Sequence, residues 1–469
     1  MNYNKLVAGL NVALTIFVVT FLVTSAGAAP REKILYNFGP SKHVGVFPVA
    51  ALIFDSSGNL YGATSAGTHV RGDGTGTVFE LSPTADGEWK ETQLWAFDGL
   101  DGYNPRASLI FDSAGNLYST TSEGEGGTRN LSHSNENTGG GAFELTQKTG
   151  GGWKEIRVHR FPSHPRDGTY PQSSLVIDGS GNLYGTAPYS SGGCGAGSCG
   201  IVFELSRTSR GGWKETVLHN FKRTGKGGFS PEGDLILDAS GNLYGTTAGG
   251  RVEGCSEEYG WCGMVFELSP KSGGGWKETV LHNFNGMDGA SPAAGLIFDA
   301  AGNLYGTTNT GGTGKCTLGS FSGCGTVFEL TPKTGGGWTE TVLYSFKGKD
   351  GDGSYPSSGV VIDAAGNLYG TTLYGGSRTR CITAGCGTVF KLTLTVGGSW
   401  TETVLHSFND NGEDGTFPGG GVILDAAGNL YGTTDFGGNG KCGVGTSLGG
   451  TRWGGTSFPG CGTVYEIIP

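Results

Sequence analysis

Several common signatures are missing from this chain. No His-Glu-x-x-His and no phosphate-binding loop occurs in it, which removes the zinc-protease helix and the nucleotide cradle as motif-based readings. Beyond residue 30 there is no apolar run of membrane-spanning length and no helical segment of consequence. There is no basic cluster, and 41 acidic residues outnumber 31 basic ones, which argues against nucleic acid or anionic lipid as a partner. Cysteine is absent before Cys194. Four of the eight histidines, His159, His219, His282 and His406, share one repeat position that holds Tyr36, Trp95 or Tyr344 in other copies, so that position asks for a flat ring rather than a base.

Glycine is present in excess, at 92 of 469 residues, about a fifth against a usual ~7%. It is periodic. Gly-Asn-Leu-Tyr occurs seven times, at Gly58, Gly115, Gly181, Gly241, Gly302, Gly366 and Gly428, always three residues after an Asp, and those Asp residues lie 57 to 66 positions apart. Each unit reads as four short strands, a to d. In the fifth unit, Leu296 to Asp299 is strand a, Ala300-Ala301-Gly302 a turn and Asn303 to Thr308 strand b. Gly325 to Leu330 alternates apolar and polar residues as strand c, and a Gly-rich hairpin, Lys333 to Gly337, leads to strand d, Trp338 to Phe346. The predicted units are 51–97, 108–161, 174–221, 234–284, 295–346, 359–408 and 421–469.

The last unit stops at the end of its strand c. Residues 33–38, Lys33 to Phe38, align with Thr279 to Phe284 and are therefore a spare strand d. This arrangement predicts an all-β fold, a seven-bladed β-propeller of four-stranded blades, its ring closed by the N-terminal strand completing the last blade. The predicted domain runs over 29–469. Residues 1–28 read as a signal peptide: Lys5 is its only charge, Leu6 to Val23 is largely apolar, and small residues precede the cut after Ala28. An uncleaved anchor is the other reading of that segment.

The ten cysteines form five local pairs, Cys194/Cys199, Cys255/Cys262, Cys316/Cys324, Cys381/Cys386 and Cys442/Cys461, each within one b–c loop. One pair per loop reads as five disulfides in an oxidising compartment; zinc is the rival, although two thiolates on one blade do not make a four-ligand site.

Antiparallel strands place the b–c and d–a connections on one face. The b–c loops carry the length variation and every cysteine pair, so this face is the expected binding face. Its d–a connections repeat Asp-Gly-x-x-Pro, giving Asp101, Asp167, Asp288, Asp352 and Asp414, with Gly227 in place of Asp in the third copy. Calcium binding and simple turn capping both fit these carboxylates. Phe47, Tyr170, Tyr355 and Phe417 precede the prolines, and Tyr189, Tyr259, Trp261, Tyr374, Phe436 and Trp453 lie in the loops, as a sugar-stacking surface or a plug. A catalytic acid pair among Glu123, Glu125, Asp167, Glu253, Glu257, Glu258, Asp352 and Asp435 is not singled out by any spacing.

The unit Leu-Ile-x-Asp-x-x-Gly-Asn-Leu-Tyr-Gly-Thr-Thr, then Gly-Gly, then Gly-Thr-Val-Phe-Glu-Leu, resembles the Gloeo/Verruco tandem repeat of bacterial exported proteins over residues 31 to 469, with Asn303 to Thr308 and Gly325 to Leu330 matching throughout. The resemblance implies an extracellular or envelope-associated protein and brings no reaction, ligand or catalytic residue. The turn is also similar to that of other propellers, among them lactonase-like enzymes with a central calcium. The expected function is a secreted, disulfide-stiffened binding or scaffold module for a polysaccharide or envelope component. A calcium-assisted hydrolase or lyase at the ring mouth and a self-associating structural protein are the alternatives. Short disulfide loops each contribute roughly 2 kcal/mol. Reduction is therefore expected to lower the melting temperature clearly, and an unchanged melting curve in excess thiol would overturn the pairing.

Overall fold

The seven Asp-x-x-Gly-Asn-Leu-Tyr turns explain their own sequence. In the computed structural model, Asp299 Oδ1 accepts the N–H groups of Ala301 and Asn303, both at 2.8 Å, while its Oδ2 accepts the Asn303 amide at 2.8 Å and the Tyr305 hydroxyl at 3.2 Å. Gly302 takes φ 86°, which closes the hairpin back on Asp299. Burial alone would raise this carboxyl, but the four hydrogen bonds outweigh it and hold the pKa below the ordinary range, as they do at Asp55, Asp112, Asp178, Asp238, Asp363 and Asp425. The structure describes residues 29–39, 45–67, 75–124, 139–161, 168–190, 199–223, 227–250, 255, 261–318, 321–377, 381, 384–440, 442 and 460–469. The segment expected to be a signal peptide lies outside them. Among the described residues no helix is long and apolar enough to cross a membrane.

Seven four-stranded antiparallel sheets follow, each ordered a-b-c-d. In the fifth blade these are Ile297–Phe298, Leu304–Thr308, Thr326–Pro332 and Trp338–Ser345. The seventh is ordered Ile423–Leu424, Leu430–Thr434, Thr463–Ile468, Arg31–Asn37, so the N-terminal strand supplies its outer edge and closes the ring. Every c–d pairing carries a bulge at the same place, as between Val327 and Phe328, and the extra residue, Leu343 in that blade, turns into the core.

Strand b is fully buried in all seven blades. Its central glycine makes room for an aromatic ring from strand c of the same blade: a Cβ on Gly306 would collide with the Phe328 ring and with Leu296. Phe328 is then capped edge-on by Phe284 of the preceding blade, at 5.0 Å between centroids. The second blade carries Ser119 there instead, and its hydroxyl donates to the carbonyls of Ala107 and Ser108. The hydrophobic clusters are thus seams rather than one centre; one joins Tyr305, Val327, Leu343 and Phe346 to Val360, Leu368, Phe390 and Leu392 of the next blade.

Polar latches cross the same seams. The residue before each loop-face proline has a left-handed backbone: Phe47, Asn104, Tyr170, Ser230, Ser291, Tyr355 and Phe417, with φ between 55° and 62°. Each N–H donates to a carbonyl of the preceding blade, that of Cys461, Thr75, Gly139, Cys199, Cys262, Cys324 or Cys386, at 2.7–3.1 Å. Each carbonyl except that of Tyr170 accepts the N–H of the residue that follows its own strand b; at Tyr170 that residue is Pro188, which has no N–H to give. In six of the seven copies the glycine after the acceptor lies directly under the next blade's proline, as Gly325 under Pro356. The repeated Cys-Gly and aromatic-Pro pairs are thus two halves of one contact.

A non-glycine residue held at positive φ costs of order 1–3 kcal/mol. Ser291→Gly is therefore expected to hold or raise the melting temperature, whereas β-branched Ser291→Ile lowers stability by about 2 kcal/mol in chemical denaturation. Equal tolerance of both would contradict the latch.

Candidate ligand site on the loop face

The loop face is more ordered than its composition suggests. In every blade the d–a connection pairs with the first residues of the b–c loop, as two-residue ribbons such as Gly353–Ser354 with Tyr374–Gly375, or as single bridges such as Thr169 with Tyr189. These ribbons form a crown around the ring mouth. Sequence reading missed it because the pairing joins segments some twenty residues apart through very short runs.

Four of the Asp-Gly carboxylates are described, and each is bound to its own blade; Asp167 lies outside the described residues. Asp101 accepts Trp95 Nε1 at 2.9 Å and the Asp98 N–H at 2.8 Å. Asp288 accepts the N–H and side-chain amide of Asn285, both at 2.8 Å, and lies 3.1 Å from His282 Nε2. Asp352 accepts the Tyr344 hydroxyl at 3.1 Å and the Lys347 N–H at 2.8 Å. Asp414 accepts the N–H and amide of Asn409 and lies 3.2 Å from His406 Nε2. The shared ring position of strand d thus packs on a following Phe and also faces a carboxylate. A glutamate from strand d of the next blade adds to it: Glu155 beside Asp101, Glu340 beside Asp288, Glu402 beside Asp352 and Glu32 beside Asp414. Among the described residues, no group able to share one cation contains two of the repeated Asp residues.

The crown aromatics fall into three sets. Tyr355, Tyr374, Phe417, Phe436 and Phe47 form a ladder with centroid spacings of 5.1–6.2 Å, but its first three members are nearly inaccessible. Trp261 meets Phe229 edge-on, with the Arg223 guanidinium over both rings at 5.1 and 4.7 Å. Tyr170 meets Tyr189 edge-on at 5.6 Å, and Tyr189, 39% exposed, is the most open ring of the crown among the described residues. Trp453 and Tyr259 lie outside the described residues. Four expected disulfides are formed, at Cα separations of 5.0–5.9 Å. Cys199 is also disulfide-bonded, with its expected partner Cys194 outside the described residues.

The structure brings forward residues that the motif search passed over. Three residues after each loop-face proline, just before strand a, stand Ala51, Ser108, Ser174, Asp234, Gly295, Gly359 and Gly421, where contacts between neighbouring copies mark the inner end of the blades. Contacts run from copy to copy: the Ser108 N–H donates to Ser174 Oγ, the Ser174 N–H donates to Asp234 Oδ1 at 2.6 Å, and Gly295 abuts Asp234. Six of these positions are small and one is a carboxylate. Immediately after the proline stand Val49, Arg106, Gln172, Glu232, Ala293, Ser357 and Gly419, where Arg106 and Glu232 are the charged members. Glu232 and Asp234 are i and i+2 on one extended segment, so both face the axis. Desolvation raises the pKa of each. Asp435, which follows strand b of the last blade, is pushed to about 7 by burial, with Arg106 and the Gly419 N–H pulling it back. Arg106 belongs to the second blade, so its field reaches Asp435 across the mouth. Glu232 in turn acts on Tyr189. Aligning the third residues after the prolines and looking for the copy that is not small would have found Asp234.

The chain matches the model of the Gloeobacter/Verrucomicrobia repeat at residues 131–318 and 314–449, together well over half its length. Comparison with curated proteins gives no significant match. Among solved structures, it is similar to an assigned oxidoreductase (glucose dehydrogenase) of Thermus thermophilus, at 16% identity and a TM-score of 0.40, covering 94% of this chain and 100% of that one. It is also similar to a gluconolactonase of Xanthomonas campestris, at 14% identity and a TM-score of 0.37, covering 72% and 86%. Scores this low carry no argument about activity.

The acids between blades make stability depend on pH. Burial first, joined at Glu155 and Glu402 by the neighbouring Asp, raises Glu91, Glu155, Glu340 and Glu402 to about 7, and Glu32 to about 9. A carboxyl whose folded value exceeds its unfolded 4.5 binds a proton on folding, so stability falls as pH rises from about 4.5 through the folded value. The lowered turn aspartates act oppositely: their contribution is present above 3.8 and lost as pH falls through their folded values. The melting temperature is expected to peak in mildly acidic buffer, and Glu402→Gln to flatten its fall from about pH 5 to about pH 8. A melting temperature that climbs across that range would contradict these assignments.

Proposed function

Because the chain belongs to the Gloeobacter/Verrucomicrobia repeat family, for which the repeat itself prescribes no chemistry, we propose its function from where this copy breaks its own repeat: it is an exported binding module that takes a polysaccharide or another envelope component at the loop-side mouth of the ring. The observation that carries this reading is the placement of Asp234 at the axial position that holds only Ala, Ser or Gly in the six sibling blades, with Glu232 two residues before it. A carboxyl group partly withdrawn from water at an axis, with no structural partner of opposite sign on its own segment, is costly to keep charged and suits a polar ligand. Tyr189 and Tyr170 offer ring surface beside it, and carboxylates accept hydrogen bonds from sugar hydroxyls. Export rests on the apolar N-terminal segment and fits the disulfides, which persist in oxidising compartments.

A hydrolase or lyase at the same mouth has one observation in its favour. Asp435, held to about 7, keeps a proton in the range a general acid uses. Calcium at the axial carboxylates would serve either reading.

The variants that test the proposal borrow residues from sibling blades, so that the fold is kept. Against a panel of bacterial and plant polysaccharides, the purified chain should bind a defined glycan saturably. Asp234→Gly and Glu232→Ala should each weaken that binding at least tenfold, about 1.4 kcal/mol, at an unchanged melting temperature. Parallel runs with calcium and with EDTA report whether an ion bridges carboxylate and sugar. Full binding by both variants would overturn the axial assignment. No binding, together with concentration-dependent assembly in scattering, would replace it with self-association.

A further inference from the structure

We propose that the seam between the sixth blade and the ring-closing strand is a binding site for a zinc-type divalent cation, made by Glu32, His406 and Asp414. Glu32 lies on the N-terminal strand, His406 on strand d of the sixth blade and Asp414 on the loop that follows it. One ligand atom from each lies within 4.8 Å of the others. His406 Nε2 is 3.2 Å from Asp414 Oδ2 and 3.6 Å from Glu32 Oε2. Two ligands held about 2.0–2.1 Å from a tetrahedral ion stand roughly 3.3–3.4 Å apart, so both separations fit a shared ion, whereas 3.6 Å is too long for a hydrogen bond.

The surroundings point the same way. Two carboxylates meet here with one imidazole between them, and no lysine or arginine pairs with either among the described residues. Asp414 is 4% exposed, and its Oδ1 is buried with no hydrogen-bond partner; Glu32 Oε1 is likewise buried and unpaired. Buried acceptors left unpaired are costly; Asp414 Oδ2 already accepts the Asn409 N–H and amide, so a cation chelated through both oxygens of each carboxylate is what would reach Oδ1 and Oε1. The donor set of one imidazole nitrogen and two carboxylate oxygens suits zinc better than calcium, which takes six to eight oxygens. An ion there would tie the N-terminal strand, the outer edge of the seventh blade, to the sixth blade.

The repeat supplies its own controls. His282, Asp288 and Glu340 form the same triad between the fourth and fifth blades. Between the fifth and sixth, Asp352 and Glu402 stand in the same places but Tyr344 replaces the histidine. His406→Tyr therefore removes a ligand by installing a ring that a sibling blade already accepts, and Tyr344→His completes a further triad.

The purified full chain, stripped with chelator, is titrated with zinc chloride and, separately, calcium chloride, and bound metal is counted after equilibrium dialysis. Zinc is expected to bind and to raise the melting temperature. His406→Tyr should lower the zinc count by one, His406→Tyr with His282→Tyr by two, and Tyr344→His should raise it by one, with calcium giving no such pattern. Cobalt(II) should give the visible absorption of a low-symmetry four-coordinate ion, diminished in His406→Tyr. A count unchanged by His406→Tyr in a folded variant, or zinc binding absent from the stripped wild type, would overturn the proposal.

Discussion

Everything in this molecule depends on the contact between one blade and the next, because no blade has a core of its own. A strand b buried from both sides is stable only against a neighbour, and the aromatic ring of strand c is capped by the phenylalanine that ends the preceding strand d. The latch residue before each proline then fixes the angle of the joint: it donates to one blade and, in six of seven copies, accepts from the other. That double duty explains why a left-handed backbone is tolerated at Phe47, Tyr355 and Phe417, where a bulky side chain would ordinarily avoid it. In five copies the acceptor carbonyl belongs to the second cysteine of a pair, so each disulfide anchors a long variable loop to the joint itself. The loops are free to vary because their roots are not.

The same seams decide where chemistry is available. A ring built by repetition holds identical residues in identical places, and seven copies of one side chain are usually a structural device, as with the turn aspartates. Individual function appears where a copy departs from the rule. Two kinds of departure stand out. At the axis, Asp234 stands where every sibling holds a small residue, Glu232 lies two residues before it, and Arg106 and Asp435 share a field across the mouth. At the perimeter, the ring position of strand d becomes histidine in some blades, and where it does it can meet an aspartate from its own loop and a glutamate from the next blade.

Much of the architecture was legible in the sequence because the repeat is long and its periodicity is local. The seven copies, the four strands of each, the spare strand at Lys33 to Phe38 and the pairing of cysteines within loops all follow from spacing along the chain. Convergence across blades was not legible. Glu32 and His406 lie at opposite ends of the sequence and meet only because the ring closes; nothing in either neighbourhood announces the other. The flat-ring reading of His282 and His406 accounted for their packing on Phe284 and Phe408 and was blind to the carboxylates beside them. Asp234 looked like an ordinary acid near a strand start, since its distinction is geometric: it is the one carboxylate among the seven residues at the inner end of the blades. The crown ribbons escaped because two-residue strands have no period to detect.

If the axial mouth is where this propeller meets its ligand, the ligand must change the protection of a small and specific set of amides. Hydrogen–deuterium exchange of the chain, alone and saturated with the glycan that binds it, reads that set directly. The account predicts slowed exchange at residues 104–107, 189–190, 232–235 and 434–436, with the seven Asp-x-x-Gly-Asn turns on the opposite face unchanged. Protection confined to those turns, or to the outer strands, with the axial segments unaffected would contradict it.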